Sequence, residues 1–409
     1  MKNTTGSLFK TAEGRNYLWP FVLVTMLFFL WGFAHSILDV LNKHFQDSMH
    51  ISKTESAYVQ AVVYGGYFLM ALPAGLIIKK LGYRAGVLCG LGLYGVGALL
   101  FIPGGQLMSY PFFLFSLFII GCGLTCLETA ANPYVTVLGS PQGAARRINL
   151  SQSFNGLGWI CGPLVGTIFL FSNGNEEPDI TTPYAIIGVA VVLVAIVFTR
   201  VRLPEVKAEE DEPQVARANG SWGALFRHRN FAFGLLALFL YVAAQTGINS
   251  FFINYVTENS DISASSAGYV LSFGCMGLFV VGRVSGSWIM SRISSAKVLL
   301  FCALCAALSM VVLITCTGTV GVGAFLLCYL CESVMFPTIF ALSLHGVGEN
   351  TKLGSSLLVM CIVGGAVAPL AMGYIGDHIG MSVAFLIPLA CFAYVSLYAF
   401  MLVMSKANR

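Results

Sequence analysis

Long apolar segments follow one another along almost the whole chain, and short polar connections separate them. An α-helix needs about 20 mostly apolar residues to cross the hydrocarbon core of a bilayer. The first segment is not followed by a small-residue cleavage pattern, so we interpret it as a span and not as a signal peptide. The pattern predicts twelve membrane-spanning helices, at residues 18–45, 55–78, 85–103, 110–138, 148–172, 182–200, 231–256, 265–290, 297–316, 320–345, 353–376 and 381–404.

The composition agrees with an all-α polytopic membrane protein. Of the 409 residues, 57% are hydrophobic and only 10% are charged, whereas charged residues make up about a quarter of a typical soluble chain. The 12 cysteines all lie within apolar segments, where a thiol behaves as a small hydrophobe. We therefore expect neither a disulfide framework nor a metal site, and no cofactor other than a coupling ion.

Basic residues are distributed unequally between the two sides of the predicted spans. Nineteen of the 22 lysines and arginines fall on the side of the termini, whereas Lys43 and Lys53 fall on the other side and Arg283 falls within a span. Because cytoplasmic loops carry the excess of basic residues, this asymmetry predicts that both termini are cytoplasmic. We expect a multi-pass protein of the bacterial cytoplasmic (inner) membrane.

The chain divides into two similar halves. The only long polar connection, residues 201–230, carries many charges and turn residues and is predicted to be a flexible linker between bundles at 1–200 and 231–409. Glu128 and Pro133 in span four recur as Glu332 and Pro337 in span ten, each 204 positions later. Two six-helix repeats predict a central site and alternating access around it.

Three acids lie well inside the predicted spans, away from their first and last residues: Asp39, Glu128 and Glu332. A carboxylate near the middle of a bilayer costs about 2.5–3.5 kcal/mol, so it normally faces a cavity or a partner. Burial favours the neutral form of an acid, and an acid that is neutral when enclosed and ionised when wet carries protons. Asp39 and Glu128 are therefore candidate proton-coupling residues. The alternatives are an interfacial position for Asp39, near Lys43, and a structural hydrogen bond for Glu128.

Neutral amides and aromatic rings occur on the spans around these acids. Amides match the donors and acceptors of hydroxyl groups, and rings cover the C–H face of a sugar, so the set is typical of a site for a polyhydroxylated solute. The alternative for any single amide is a structural hydrogen bond between two helices. The candidate substrate-binding residues are Gln152, Asn155, Asn132, Gln245, Asn249, Phe336, Glu332, Gln60, Tyr64, His35 and Trp31.

Three short motifs invite a functional interpretation. GLIIKKLGYRAG resembles the cytoplasmic loop motif of the major facilitator superfamily, in which glycine permits close helix approach and the cations cap helix C-termini; an ordinary positive-inside loop is the alternative. GWICGPLVG in span five favours helix packing with a proline kink, and a similar pattern marks drug antiporters of that superfamily. GLGLYG lies within a span, which excludes a dinucleotide site.

Six segments together resemble the fucose–galactose–glucose:proton symporter family: FFLWGFAHSILD, CLETAANPYVTVLG, NLSQSFN, GRVSGSWIMSR, FPTIFAL and NTKLGSSLLVM. The resemblance implies the twelve-helix fold of the superfamily and monosaccharide import by proton symport. It places the family's outer proton-linked aspartate at Asp39 and its cavity glutamate at Glu128, and its span-five amides at Gln152 and Asn155. Three positions depart from the pattern. Phe336 replaces a tyrosine, His35 replaces an asparagine, and Glu332 stands where an apolar residue or asparagine is usual.

Three other functions stay open at this stage. Sodium coupling is possible because Glu332 and neighbouring carbonyls offer oxygen ligands, and a drug:proton antiporter would share the fold. A membrane-embedded enzyme or a sugar sensor is the least favoured, since neither HExxH nor GxSxG occurs. We expect a monomer whose partners are a sugar and the bilayer, with no nucleic acid.

Overall fold

The computed structural model describes residues 9, 16–139, 144–171, 180–200, 222–290, 292–347 and 351–407. These residues are helical almost throughout and include no β-strand. The helices of the first half are α1 Leu18–Met49, α2 Lys53–Ser56, α3 Tyr58–Leu99, α4 Phe101–Leu107, α5 Tyr110–Val137, α6 Ala144–Leu170 and α7 Thr181–Arg200. Those of the second half are α8 Trp222–Arg227, α9 Arg229–Asn259, α10 Ala264–Tyr269, α11 Gly277–Met290, α12 Ser295–Thr315, α13 Thr319–Glu332, α14 Met335–Ser343, α15 Thr351–Met360, α16 Gly364–His378, α17 Met381–Ala384 and α18 Leu386–Ala407.

Twelve stretches of helix among the described residues are long and apolar enough to cross a membrane. They coincide with the twelve predicted spans, so the fold class is confirmed. Spans two and three, Lys53–Ile78 and Lys80–Leu107, are joined within α3 at Gly82. The φ of Gly82 is 83°, in the left-handed region that favours glycine, and this residue turns the chain between the two spans.

Contacts between Cα atoms divide the chain into two compact units. The first comprises Met1–Ile37, Gly65–Val165 and Asp179–Asp211, and the second comprises Leu38–Tyr64, Gly166–Pro178 and Glu212–Arg409. The predicted boundary at 201–230 stays a prediction, because residues 201–221 lie outside the described part of the chain. The remainder of that connection contains the short helix α8 and the start of α9.

Within the first unit, α6 lies directly against α1 through two glycines of GWICGPLVG. A Cβ at Gly158 would overlap the carbonyl oxygen of Phe29 and lie 2.7 Å from the amide nitrogen of Phe33. A Cβ at Gly162 would overlap Ser36 Oγ and lie 2.8 Å from the carbonyl oxygen of Phe33. The motif therefore packs helices, as predicted, because residues without side chains let two backbones approach closely.

Replacing Gly158 by alanine is expected to lower the melting temperature of the detergent-solubilised protein by several degrees. The added methyl group meets backbone atoms of α1, which cannot rotate away, and overpacking of this kind costs about 1–3 kcal/mol. Gly92→Ala is the matched control, since a Cβ at Gly92 has nothing within 4 Å. Equal melting temperatures for the two variants would contradict this packing.

A cation of the loop motif GLIIKKLGYRAG caps the C-terminus of a helix, as predicted. Arg84 Nη2 donates to the carbonyl oxygen of Thr199 at 2.7 Å, at the C-terminal end of α7, where a cation complements the helix dipole. The proposed role of its first glycine is not seen, since a Cβ at Gly75 would meet open space. The matching glycine of the second half, Gly286, does lie in tight contact with Val334.

In the second unit, the carboxylate of Asp377 holds α2 against the end of α16. It accepts hydrogen bonds from the backbone nitrogens of Lys53 and Thr54, at 2.8 and 2.9 Å, and from Thr54 Oγ1 at 2.6 Å. Lys53 Nζ also forms an ion pair with Glu258 at 2.8 Å, at the end of α9. These contacts join the ends of three helices that the charge pattern assigns to the outer side.

Asp377→Asn is expected to lower the melting temperature, because an amide nitrogen cannot accept the hydrogen bonds that one carboxylate oxygen now receives. Hydrogen bonds to a charged group are worth about 1.5–3 kcal/mol when buried, and partial exposure here reduces that figure. The measurement is a thermal unfolding curve in detergent, with the exposed Asp261→Asn as the control. A loss of stability in the control as large as in Asp377→Asn would contradict the assignment.

Candidate functional site

In the first unit, Glu128 belongs to a short chain of hydrogen bonds. Its carboxylate is bonded to the side chain of Tyr67, and the hydroxyl of Tyr67 lies 2.9 Å from His35 Nε2. Glu128 lies on α5, Tyr67 on α3 and His35 on α1, so three different spans meet at this acid. His35 is thus linked to Glu128 through Tyr67.

Aromatic rings surround this chain of hydrogen bonds. The indole of Trp159 is stacked on the imidazole of His35, with ring centroids 6.1 Å apart and an angle of 10° between the planes. Trp31 meets the same imidazole edge-on at 6.5 Å. The described surroundings of Glu128 therefore combine an acid and a phenol with two indoles, and rings of this kind cover the apolar face of a sugar.

The amide side chains of the first unit differ in whether their polar atoms already make hydrogen bonds within the protein. Asn155 is buried, and its Nδ2 donates to the carbonyl oxygen of Phe28 at 3.0 Å, so this nitrogen holds α6 to α1. Asn132 Oδ1 is buried without a hydrogen-bond partner, and Asn132 follows Glu128 by one helical turn. Gln152 is partly exposed, three residues before Asn155 on α6. Asn132 and Gln152 are consequently better placed to meet a substrate than Asn155 Nδ2.

In the second unit, Asp39 is 3% exposed and paired with an amide. Gln60 Nε2 donates to Asp39 Oδ1 at 3.3 Å, while Asp39 Oδ2 is buried without a partner. One turn later on α1, Asn42 Nδ2 donates to the carbonyl oxygen of Ser250 at 2.7 Å. Asp39 is therefore an enclosed acid within the packed helices, and Lys43 pairs with Asp47 at 2.7 Å.

Span seven meets span two through a threonine. Thr246 Oγ1 donates to the hydroxyl of Tyr64 at 3.3 Å. The neighbouring Gln245 is partly exposed, whereas Asn249 is buried and its Oδ1 has no hydrogen-bond partner. The two spans are thus joined by a hydrogen bond from Thr246, which was not among the candidate residues from the sequence.

Span ten is locally distorted after Glu332, where Ser333 and Val334 keep right-handed φ and ψ values. Helix α13 ends at this residue, Ser333 and Val334 form a turn, and α14 begins at Met335. Pro337 is the third residue of α14, a position in the first turn where its lack of an N–H is tolerated. The hydroxyl of Tyr241 donates to the carbonyl oxygen of Glu332 at 2.9 Å, which satisfies a backbone group that the distortion exposes.

The carboxylate of Glu332 is completely buried, and neither of its oxygens has a partner that meets hydrogen-bond geometry. The thiol of Cys328, one turn earlier, interacts with this carboxylate. Phe336 packs near Tyr241, with ring centroids 6.3 Å apart. A polar group that is buried without a partner inside a membrane span is a candidate functional residue.

Several residues of these two clusters were missed by sequence reasoning. The most important are Tyr67, Trp159, Thr246 and Tyr241. A helical face links some of them to predicted residues: Tyr67 follows Tyr64 by three positions, and Trp159 follows Asn155 by four. Because residues three and four positions apart share a helical face, these spacings could have added Tyr67 and Trp159 to the candidate residues.

Comparisons with known proteins agree with this architecture. The sequence pattern of the Major Facilitator Superfamily matches residues 22–362. The chain is 37% identical over 412 residues to the L-fucose-proton symporter of Escherichia coli (strain K12), covering 95% of this chain and 94% of the relative. It is 36% identical over 397 residues to the glucose/galactose transporter of Brucella abortus (strain 2308), covering 95% of each.

A solved structure supports the same assignment. The crystal structure of FucP, a transporter of the major facilitator superfamily in the outward conformation, is 37% identical to this chain and matches with a TM-score of 0.68. The match covers 95% of this chain and 99% of that one. The resemblance predicted from the sequence is confirmed, and the chain belongs to the major facilitator superfamily.

Proposed function

We propose that this protein imports a monosaccharide by proton symport with alternating access. The observation that carries the proposal is Glu128, an acid inside a membrane span, bonded to Tyr67 and framed by Trp31, His35 and Trp159. The relatives named as an L-fucose-proton symporter and a glucose/galactose transporter support both the substrate class and the coupling ion.

Asp39 and Glu128 have separate roles in this mechanism. Asp39 receives a proton from the outer side and is held by Gln60. Glu128 links protonation to sugar binding, because the Tyr67 hydroxyl donates to its carboxylate when the acid is ionised and is released when the acid is protonated. A change in hydrogen bonding that follows the charge of one acid is a direct means of coupling a proton to a neighbouring ligand.

The substrate is an L-fucose-like hexose or a related sugar derivative. Amides with uncommitted atoms, Asn132 and Asn249 among them, would bind hydroxyl groups, and the indoles would cover the C–H face. Phe336 offers no hydroxyl where the sequence pattern of the family has a tyrosine. This difference favours a sugar other than L-fucose itself, with fewer polar contacts on that side.

The drug antiporter is a weaker candidate. The glycine–proline pattern of span five favoured it in the sequence, but Gly158 and Gly162 are accounted for by contact with α1. We further propose that the protein acts as a monomer in the bacterial cytoplasmic membrane, with both termini on the cytoplasmic side as the basic residues indicate.

Uptake by proteoliposomes tests the proposed function. A panel of radiolabelled monosaccharides is offered under an inward proton gradient, an inward sodium gradient, or no gradient. We expect one or a few hexoses to accumulate under the proton gradient alone. Accumulation driven only by sodium would contradict proton coupling, and binding without accumulation of any sugar would contradict transport.

A further inference from the structure

One hydroxyl group of the first unit lies between an acid and an imidazole. The hydroxyl of Tyr67 is bonded to the carboxylate of Glu128, and it lies 2.9 Å from His35 Nε2. A phenol has a single O–H, so Tyr67 donates to one of these two groups at a time. The site therefore has two arrangements, which differ in the group that receives this hydrogen bond.

The charge of Glu128 determines which arrangement is favoured. A hydrogen bond to an ionised acceptor is about twice as strong as one to a neutral acceptor, so the carboxylate form of Glu128 holds the Tyr67 hydroxyl. A carboxylic acid is a much weaker acceptor, and a neutral imidazole nitrogen is far more basic than its oxygen atoms. We therefore expect the hydroxyl to turn from Glu128 to His35 when Glu128 is protonated.

Aromatic rings hold the imidazole of His35 in the orientation that this exchange requires. His35 is 9% exposed. The indole of Trp159 on α6 is stacked on the imidazole at 6.1 Å with an angle of 10° between the planes, and Trp31 meets its edge at 6.5 Å. Because one ring fixes the plane and another limits rotation within it, Nε2 stays within reach of the Tyr67 hydroxyl.

We propose that His35 is a positioning residue for the coupling acid, which withdraws the Tyr67 hydroxyl from Glu128 once Glu128 is protonated. The change needs only rotation about the C–O bond of Tyr67, and no proton leaves that residue. The oxygen atoms of neutral Glu128 are then available to hydroxyl groups of the sugar. The inference rests on the proposed proton symport, and it adds a reason why the protonated form binds sugar more tightly.

Other titratable side chains occur close to this group on the same helices. Within two turns along α1, α3, α5 and α6 they are Asp39, Tyr64, Cys122, Cys126, Tyr134 and Cys161. Of these six, Asp39 is the acid, and its carboxylate accepts a hydrogen bond from Gln60. Since Asp39 follows His35 by one turn, its contribution to any pH dependence is measured separately, with Asp39→Asn.

The pH dependence of sugar affinity tests the proposal. The dissociation constants of D-glucose, D-galactose and L-fucose are measured by isothermal titration of the detergent-solubilised protein at an acidic and an alkaline pH. We expect the unmodified protein to bind its sugar about fivefold more tightly at the acidic pH, a factor that corresponds to about one net hydrogen bond. Glu128→Gln should remove this difference.

Two substitutions are expected to remove the same difference in opposite ways. His35→Phe keeps a ring beside Trp159 but has no acceptor, so Tyr67 stays on Glu128 and the affinity at acidic pH falls about fivefold, to the alkaline value. Tyr67→Phe leaves nothing on Glu128, so the affinity at alkaline pH rises to the acidic value. The double variant should behave like Tyr67→Phe, because His35 acts through Tyr67.

Two further variants separate this role from a structural one. His35→Gln carries an oxygen near the position of Nε2 and is expected to restore part of the pH dependence. His50→Asn removes an exposed histidine from the end of α1 and should behave like the unmodified protein; asparagine tolerates the φ of 54° at this position.

An unchanged pH dependence in His35→Phe would overturn the proposal. So would a double variant that binds more weakly than Tyr67→Phe at both pH values, since His35 would then act independently of Tyr67. Loss of the pH dependence in Asp39→Asn, with the dependence retained in Glu128→Gln, would assign it to Asp39 and also overturn the proposal. If the unmodified protein binds none of the three sugars, the proposed function itself fails instead.

Discussion

Replacing Glu128 by glutamine is expected to abolish sugar accumulation against a gradient while leaving sugar exchange intact. Glutamine has the shape of the glutamate side chain and retains an oxygen that accepts from Tyr67, the partner of Glu128, but it cannot release or take up a proton. With a pH gradient of about one unit, a single coupled proton supports about tenfold accumulation, and the variant should show none.

The measurement compares two assays on the same proteoliposomes. Uphill uptake of the sugar identified by the panel reports coupling, and counterflow exchange at equal pH reports binding and conformational exchange. Glu128→Asp is the matched control, since its carboxylate still titrates although it is one methylene shorter. We expect partial accumulation with aspartate and none with glutamine. Normal uphill uptake by Glu128→Gln would eliminate this residue as the coupling group.

Asp39→Asn is expected to have an effect of similar size, for a different reason. Asp39 is 3% exposed, and its only recorded hydrogen bond, from Gln60 Nε2, is preserved by an asparagine oxygen. The substitution therefore removes the proton acceptor and keeps the packing. Because protons would no longer enter from the outer side, accumulation at a pH gradient of about one unit should fall from at least about tenfold to none.

Asp47→Asn controls for loss of a carboxylate on the same helix. Asp47 is exposed on α1 and pairs with Lys43 four residues earlier, and such surface pairs contribute little, about 0.2–1 kcal/mol. We expect normal accumulation with Asp47→Asn and counterflow with both variants. Accumulation by Asp39→Asn at the level of Asp47→Asn would contradict a role for Asp39 in coupling.

The twelve spans could be predicted because hydrophobic length is a direct consequence of bilayer thickness. Close packing of span five against some other helix was also predictable, since Gly158 and Gly162 stand four residues apart on one face. In both cases the information is local, and it does not depend on which helices become neighbours.

The difference between the two glutamate–proline motifs could not be predicted. Glu128 and Pro133 lie within the regular helix α5, whereas between Glu332 and Pro337 the helix is distorted at Ser333 and Val334, which separate α13 from α14. The sequence spacing is the same, but Tyr241, a residue 91 positions from Glu332 along the chain, donates to the carbonyl at the start of the distortion. Whether a proline kinks or interrupts a helix depends on such distant partners.

The side chains that interact with the titratable residues likewise could not be predicted from the neighbouring sequence. His35 lies one turn before Asp39 in the sequence, yet its imidazole is hydrogen-bonded to Tyr67, on another span. The sodium hypothesis for Glu332 names neighbouring carbonyl oxygens as ligands, and the groups that interact with this carboxylate include the thiols of Cys275 and Cys328. The choice between sodium and protons stays a prediction. Both outcomes depend on contacts between spans that the sequence does not specify.

The central claim is that sugar and protons move through this protein in the same direction. The most direct measurement is the external pH of lightly buffered, de-energised vesicles that contain the protein, followed by an electrode as the transported sugar is added. The account predicts a rise in external pH, which Glu128→Gln abolishes, because each sugar that enters takes protons with it. A constant pH during sugar entry, or a fall in pH, would contradict proton symport.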